Sequence, residues 1–113
     1  MREDRAWLLE ILEALEKIEK YAAKGERAFR DEELIQVWTI YYIQVIGEAA
    51  NQLSSSFKRE HDNVPWRSVT AMRNVLVHQY FGIDLNEVWD TVGADLPALK
   101  AKVIEILAEN QFD

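Results

Sequence analysis

The sequence has no cysteine, only two prolines and four glycines, and two histidines among its 113 residues. Without cysteine, disulfide bonds and thiolate metal sites are excluded. His61 and His78 lack the spacing of an H-x-x-x-H or E-x-x-H pair, so neither a structural zinc site nor a carboxylate di-iron site is expected. We therefore expect no metal site and no cofactor.

Long apolar runs are also missing. No run approaches the roughly eighteen residues that a membrane span requires. The first ten residues carry acids where a signal peptide would have a basic region followed by an uninterrupted apolar one. We expect a cytoplasmic protein without membrane attachment, and the length fits one domain over residues 1–113.

Basic residues are scarce, and the net charge of -7 opposes a general affinity for nucleic acid. The charge is uneven, however. Residues 1–57 hold seven basic and eleven acidic side chains, residues 58–82 hold four and two, and residues 83–113 hold two and seven. A small positive cleft in an acidic body would suit an RNA end or loop, and the same asymmetry would suit a protein partner.

Apolar residues that recur at intervals of three and four predict helices, and no strand pattern or internal repeat is present. The fold class expected is all-α: an antiparallel bundle of four to five helices. The predicted helices are Glu3 to Ala23, a second from an Asp31 cap to about Leu53, a short turn after Ser54-Ser55-Ser56, a third from Pro65, and a fourth from an Asp84 cap that Gly93 and Pro97 interrupt or kink. The polar stretch from Gly25 to Asp31 is predicted to be a connection.

The second predicted helix is apolar over most of its surface, which requires more than one packing partner. A second subunit on its spare face would satisfy this requirement and predicts a homodimer. A central helix buried within one subunit would satisfy it equally well. The apolar rows are Leu34, Val37, Tyr41, Val45 and Ala49; then Trp38, Tyr42, Ile46, Ala50 and Leu53; with Ile35, Ile40 and Ile43 further round.

A small-residue segment on the same helix, Gly47-Glu48-Ala49-Ala50, would let another helix approach closely. Glu48 lies among apolar neighbours and needs a partner if it is buried, with Arg73 or His78 as candidates. It is a candidate orienter rather than a catalyst. A solvent-facing acid is the competing interpretation. His61, in a polar segment, is predicted to be exposed.

The stretch from Ala71 to Gly82 concentrates Arg73, Asn74, His78 and Tyr80. An imidazole can move protons at the ribose 2'-hydroxyl or the leaving oxygen, and a guanidinium can balance charge on the phosphorus oxygens. On one continuous helix Arg73 and His78 would point about 140° apart. An unwound helix near His78, or two copies of the chain that face each other, would bring them together. The competing interpretation is structural, with a capping histidine, a surface arginine and a packing tyrosine.

The run from Pro65 to Trp89, with V-I-G-E-A-A upstream, closely resembles the HepT-like branch of the HEPN domains over nearly the whole chain. The family signature is Arg, four residues, His, one residue, Tyr, and it is matched by Arg73, His78 and Tyr80, with Asn74 following the arginine. The resemblance implies a metal-independent endoribonuclease toxin that acts as a homodimer, with Arg73 and His78 catalytic and Asn74 positioning substrate.

The resemblance also implies a partner, a minimal nucleotidyltransferase antitoxin of the MntA type. Such an antitoxin transfers AMP to the motif tyrosine, here Tyr80, and a bulky anionic group beside His78 would repel RNA phosphate. A rival from another class is a non-catalytic helical module that binds a nucleotide or a nucleotidyltransferase. A purely structural bundle is the third hypothesis.

Overall fold

The computed structural model describes residues 3–74 and 84–109. These residues form helices and connecting turns with no strand, which confirms the all-α bundle. In chain order the elements are α1 (Asp4–Ala22), α2 (Glu26–Asp31), α3 (Glu33–Gln52), α4 (Ser55–Glu60), α5 (Trp66–Ala71) with a 3-10 turn (Met72–Asn74), α6 (Leu85–Asp90), a π-helical turn (Thr91–Asp95) and α7 (Leu96–Ala108).

The long helices α1 and α3 form the centre of the bundle and run antiparallel. Ser54, just after α3, donates from its backbone N–H and its hydroxyl to the carboxylate of Asp4 at the start of α1, at 2.8 and 2.7 Å. The same hydroxyl accepts from the Phe57 N–H and so caps α4. The two helices share a core of aliphatic side chains that are less than a tenth exposed: Leu8, Ile11, Leu15 and Ile18 from α1, and Ile35, Ile40, Ile43 and Ile46 from α3.

The segment predicted to be a polar connection is a helix, α2, and that prediction is wrong. Gly25 enters it with φ +95°, a left-handed backbone that favours glycine. Phe29 is 1% exposed and its ring lies 5.1 Å from that of Trp89. Asp31 ends α2 instead of capping α3, which begins after Glu32 without a side-chain cap. Burial of Phe29 therefore stabilises a six-residue helix whose own hydrogen bonds could not sustain it.

His61 was predicted to be exposed, and the structure corrects this. It is 7% exposed, its ring lies 4.5 Å from the ring of Phe57, and its carbonyl accepts from the indole N–H of Trp66 at 2.9 Å. The polar neighbours Glu60 and Asp62 are exposed. His61 therefore serves as packing between α4 and α5.

The C-terminal region is one helical run with a π turn inside it. Asp84 caps α6 as predicted, since its carboxylate accepts from two backbone N–H groups. The Leu96 N–H donates to the carbonyl of Thr91, five residues back. Pro97 has no N–H for the carbonyl of Gly93, so the α-helical ladder cannot continue there. The wider π turn is consistent with that missing donor.

None of the described helices is long and apolar enough to span a membrane.

Candidate functional site

Three of the five residues singled out from the sequence, Glu48, Arg73 and Asn74, lie in the described part of the chain and line one cleft. His78 and Tyr80 lie outside the described residues. The described part of the site is therefore the arginine half of the signature and the helix behind it.

Arg73 does not lie on a continuous α-helix that starts at Pro65, contrary to the prediction. α5 ends at Ala71, and Met72–Asn74 form a 3-10 turn. Nothing in the sequence breaks the helix at this point. The angle of about 140° between Arg73 and His78 assumed α-helical geometry from residue 73 onward, so it does not apply at Arg73.

Gly47 fixes where this turn crosses α3. A Cβ built on Gly47 would lie 2.3 Å from the Arg73 backbone nitrogen and 2.9 Å from both its Cα and its Cβ. Only a residue without a side chain permits two backbones to approach this closely. The predicted close approach at the Gly47 segment is therefore present, and the element that approaches is the one that carries Arg73.

The side chains of Arg73 and Glu48 meet at the mouth of this crossing. The Arg73 Nη1 lies 3.5 Å from the Glu48 Oε2, with the arginine side chain 36% and the glutamate side chain 57% exposed. Glu48 is thus both solvent-facing and paired with Arg73, one of its two predicted partners. An exposed pair of this kind contributes at most about 1 kcal/mol to stability, so its main effect is to limit where the guanidinium points.

Around this pair lies an open cleft of about 490 Å³, which we call the Arg73 cleft. A neighbouring groove has about the same volume, 480 Å³, so the Arg73 cleft is distinguished by its lining residues and not by its size. The described residues that line it are Tyr41, Gln44, Val45, Glu48, Arg73 and Asn74.

Sequence reasoning assigned Tyr41 and Val45 to an apolar row and did not consider Gln44. Gln44 and Glu48 follow Tyr41 by three and seven residues, so the three side chains share one face of α3. This spacing could have identified Tyr41 and Gln44 from the sequence. A side chain that lies one or two turns before Glu48 on the same face of the helix borders any site to which Glu48 contributes.

Chemically, the described residues present one guanidinium, one carboxylate, two amides and the phenol of Tyr41 to the cleft. A guanidinium offers five N–H donors in a planar fork that matches two phosphate oxygens. Another cavity of about 460 Å³, between α5 and α6–α7, is lined mainly by apolar side chains and does not include Arg73. No cluster of three or more metal-ligating side chains occurs within residues 3–74 and 84–109.

The sequence of the chain matches a known protein family along most of its length. The family model described as "Ribonuclease HepT-like" matches residues 11–106. A "Probable ribonuclease HepT" of Thermococcus cleftensis is 38% identical over 104 residues, which cover 89% of this chain and 93% of that protein. A protein of Caldanaerobacter subterraneus subsp. tengcongensis, named as an inferred RNase, is 30% identical over 98% of this chain and its own full length.

A longer relative comes from Methanocaldococcus jannaschii, and its name combines gamma-glutamylcyclotransferase with an inferred RNase. It is 37% identical over 111 residues, or 96% of this chain. The chain spans 50% of that relative's length. No solved structure matches.

Proposed function

The chain belongs to the HepT-like ribonuclease family, and we propose that it is a metal-independent endoribonuclease, the toxin of a toxin-antitoxin system. Arg73 and His78 are the catalytic residues of this proposal, and Asn74 positions the substrate. The relatives named as ribonucleases support nuclease activity at the level of the family.

The single observation that carries the proposal is the position of Arg73. Its guanidinium stands in an open cleft, at a point fixed by the contact between Gly47 and the Arg73 backbone. A preorganised cation binds a phosphate without reorganisation at the moment of reaction. Glu48, at 3.5 Å, acts as the orienter of that cation.

The proposed reaction is attack by the ribose 2'-hydroxyl on the adjacent phosphorus. A base removes the 2'-hydroxyl proton, the 2'-oxygen bonds to phosphorus, and the bond from phosphorus to the 5'-oxygen breaks as that oxygen takes a proton. The products are a 2',3'-cyclic phosphate and a 5'-hydroxyl. His78 moves these protons as general base or general acid, and Arg73 stabilises the charge on the phosphorus oxygens.

Two copies of the chain form the complete site in this proposal. Leu34, Val37 and Trp38, on the N-terminal half of α3, are 72%, 50% and 44% exposed, and we call them the α3 apolar face. Contiguous exposed apolar surface is typical of protein interfaces. A C2 contact through this face would place two identical α3 helices, and hence two Arg73 clefts, near one axis.

The variant Trp38→Lys tests this dimer. We expect it to be monomeric, because a lysine ammonium at the centre of an apolar contact would lose its hydration. The rate of RNA cleavage should fall together with the fraction of dimer. The helical circular dichroism should stay unchanged, because Trp38 is 44% exposed and lies outside the buried core. Light scattering at micromolar protein concentration measures the oligomeric state. A dimer that persists in Trp38→Lys would place the interface elsewhere. Lys24→Trp, in the exposed turn between α1 and α2, serves as an unrelated surface control.

The proposed partner is a nucleotidyltransferase antitoxin of the MntA type, with Tyr80 as the acceptor of AMP. An AMP group on Tyr80, two residues from His78, would add negative charge where RNA phosphate must bind. Incubation with that enzyme and ATP should add one adenylyl mass per chain to the wild type and none to Tyr80→Phe.

The experiment that tests the function is RNA cleavage in excess EDTA. We expect the purified protein to cut RNA and to leave a cyclic phosphate, which mass spectrometry distinguishes from a 3'-hydroxyl end. A His78→Ala protein that cuts RNA as fast as the wild type would show that His78 is not a catalytic residue. Cutting only after a divalent metal is restored would contradict metal independence.

A second candidate is a non-catalytic module whose cleft holds a nucleotide or a nucleotidyltransferase. It is favoured by the carboxylate already paired with Arg73 and by the net charge of -7. Binding of ATP or of the partner protein without RNA turnover at any salt concentration would support this candidate over the ribonuclease.

A further inference from the structure

The Tyr41 side chain forms one wall of the Arg73 cleft and is 48% exposed. Neither the family signature nor the sequence pattern gives it a role at the site. Tyr41 continues the exposed surface of the α3 apolar face to the edge of the cleft, and contiguous exposed apolar surface is typical of a binding site.

Neighbouring rings hold Tyr41 in place. It makes T-shaped contacts with Trp38 and Tyr42, at ring-centroid distances of 5.6 and 5.1 Å. Such contacts are worth about 0.5–1.5 kcal/mol each and restrict the ring to few orientations. Tyr41 is therefore a preorganised aromatic surface at the edge of the cleft.

We propose that Tyr41 stacks against an unpaired nucleobase of the RNA whose phosphate Arg73 binds, so that the substrate class is unpaired RNA rather than duplex. This proposal rests on the proposed ribonuclease function and specifies its substrate. Bases in a duplex present no free face, whereas unpaired bases stack readily on exposed aromatic side chains next to cations.

Two features of the cleft support this occupant. The Gln44 amide lies on the same wall, one turn of α3 from Tyr41, and an amide both donates to and accepts from base edges. The second feature is Arg73, the only basic residue among the described residues that line the cleft, whose guanidinium offers donors to the phosphate next to such a base. An anionic ligand with aromatic parts matches this combination of charge and ring.

The test compares Tyr41→Leu with Tyr41→Phe in steady-state cleavage of an unpaired oligoribonucleotide that contains the fluorescent base 2-aminopurine. Leucine keeps apolar bulk and removes the ring, so KM should rise roughly 5- to 150-fold while kcat changes by less than about threefold. Phenylalanine keeps the ring and should stay within about twofold of the wild type in both constants. Bound 2-aminopurine should be quenched by the wild type and by Tyr41→Phe, and not by Tyr41→Leu.

The matched control is Tyr21→Leu, the same substitution on α1. Tyr21 is half-buried, its described ring contact is with Tyr42 at 6.3 Å rather than with Tyr41, and it does not line the Arg73 cleft. Its KM should equal that of the wild type. Thermal unfolding of every variant keeps the comparison within the temperature range in which all are folded.

The outcomes separate this proposal from the ribonuclease itself. An active wild type with an unchanged KM in Tyr41→Leu would overturn the stacking role and leave the ribonuclease standing, as would equal cleavage of the same sequence in a duplex. A wild type that neither cuts nor quenches the oligonucleotide would overturn both. Quenching without cutting, lost in Tyr41→Leu, would support stacking in a protein that is not a nuclease. A changed oligomeric state in Tyr41→Leu would assign the ring to a subunit interface and overturn the proposal.

Discussion

Arg73→Ala is expected to lose about a hundred- to a thousandfold in kcat for RNA cleavage, the usual cost of removing one donor from a preorganised anion site. The loss should fall on kcat more than on KM, because charge on the phosphorus oxygens is greatest in the transition state. The fold should be retained, since the Arg73 side chain is 36% exposed and its one described partner, Glu48, is exposed as well. Single-turnover cleavage and thermal unfolding measure the two quantities.

Two variants control this result. Arg73→Lys keeps the charge and removes the planar fork, so its kcat should lie between those of the wild type and Arg73→Ala. Glu48→Gln keeps the size of the side chain and removes the ion pair, so unfolding should shift by less than about 1 kcal/mol. A changed kcat in Glu48→Gln would support its orienting role. Wild-type turnover by Arg73→Ala would eliminate the guanidinium from the mechanism.

Gly47→Ala is expected to damage both stability and activity. The new Cβ would lie 2.3 Å from the Arg73 backbone nitrogen, and backbone atoms cannot swing aside as the end of a long side chain can. α3 and the 3-10 turn must separate, at a cost of about 1–3 kcal/mol typical of overpacking. This outweighs the gain of about 1 kcal/mol that alanine normally brings to a helix. The displacement of Arg73 should also lower kcat by about a hundredfold.

Gly93→Ala is the matched control, because a Cβ on Gly93 meets nothing within 4 Å and the residue is exposed. Its free energy of unfolding should equal that of the wild type or exceed it by up to about 1 kcal/mol, and it should cut RNA normally. Chemical denaturation gives the free energies of unfolding for both variants. Equal stability and activity of Gly47→Ala and the wild type would mean that the close crossing does not position Arg73.

The long helices could be predicted from the sequence because their apolar residues recur at helical intervals over several turns. The buried residues Leu8, Ile11, Leu15 and Ile18 of α1 show this spacing. The sequence also showed that α3 is apolar on most of its sides, but it left open whether the same subunit or a second one covers them. The α3 apolar face is exposed within one subunit. The positions of these helices follow from local periodicity, which can be read directly from the sequence.

The missed features depend on tertiary contacts. α2 has only two apolar residues, and Phe29 is buried because Trp89, sixty residues later, covers it. His61 is buried by Phe57 and Trp66 although its immediate neighbours are polar. The end of α5 at Ala71 has no breaker in the sequence. Periodicity within one segment carries no information about these partners.

At the site, residue chemistry predicted more than backbone geometry did. The pairing of Glu48 with Arg73 and the close approach at Gly47 followed from a carboxylate that needs a partner and from a run of small residues. The 3-10 turn that presents Arg73 was not predicted, and neither was the Tyr41 wall of the cleft. The roles of His78 and Tyr80 stay predictions, because both lie outside the described residues.

The most direct test of the central claim mixes two inactive proteins, Arg73→Ala and His78→Ala. If the guanidinium and the imidazole at one phosphodiester come from different copies, each mixed dimer contains one intact pair, and exchange of subunits should restore about a quarter of the wild-type cleavage rate. Mass spectrometry of the intact dimers confirms that exchange has occurred. Cleavage that stays at background in a mixture with proven exchange would contradict the shared site.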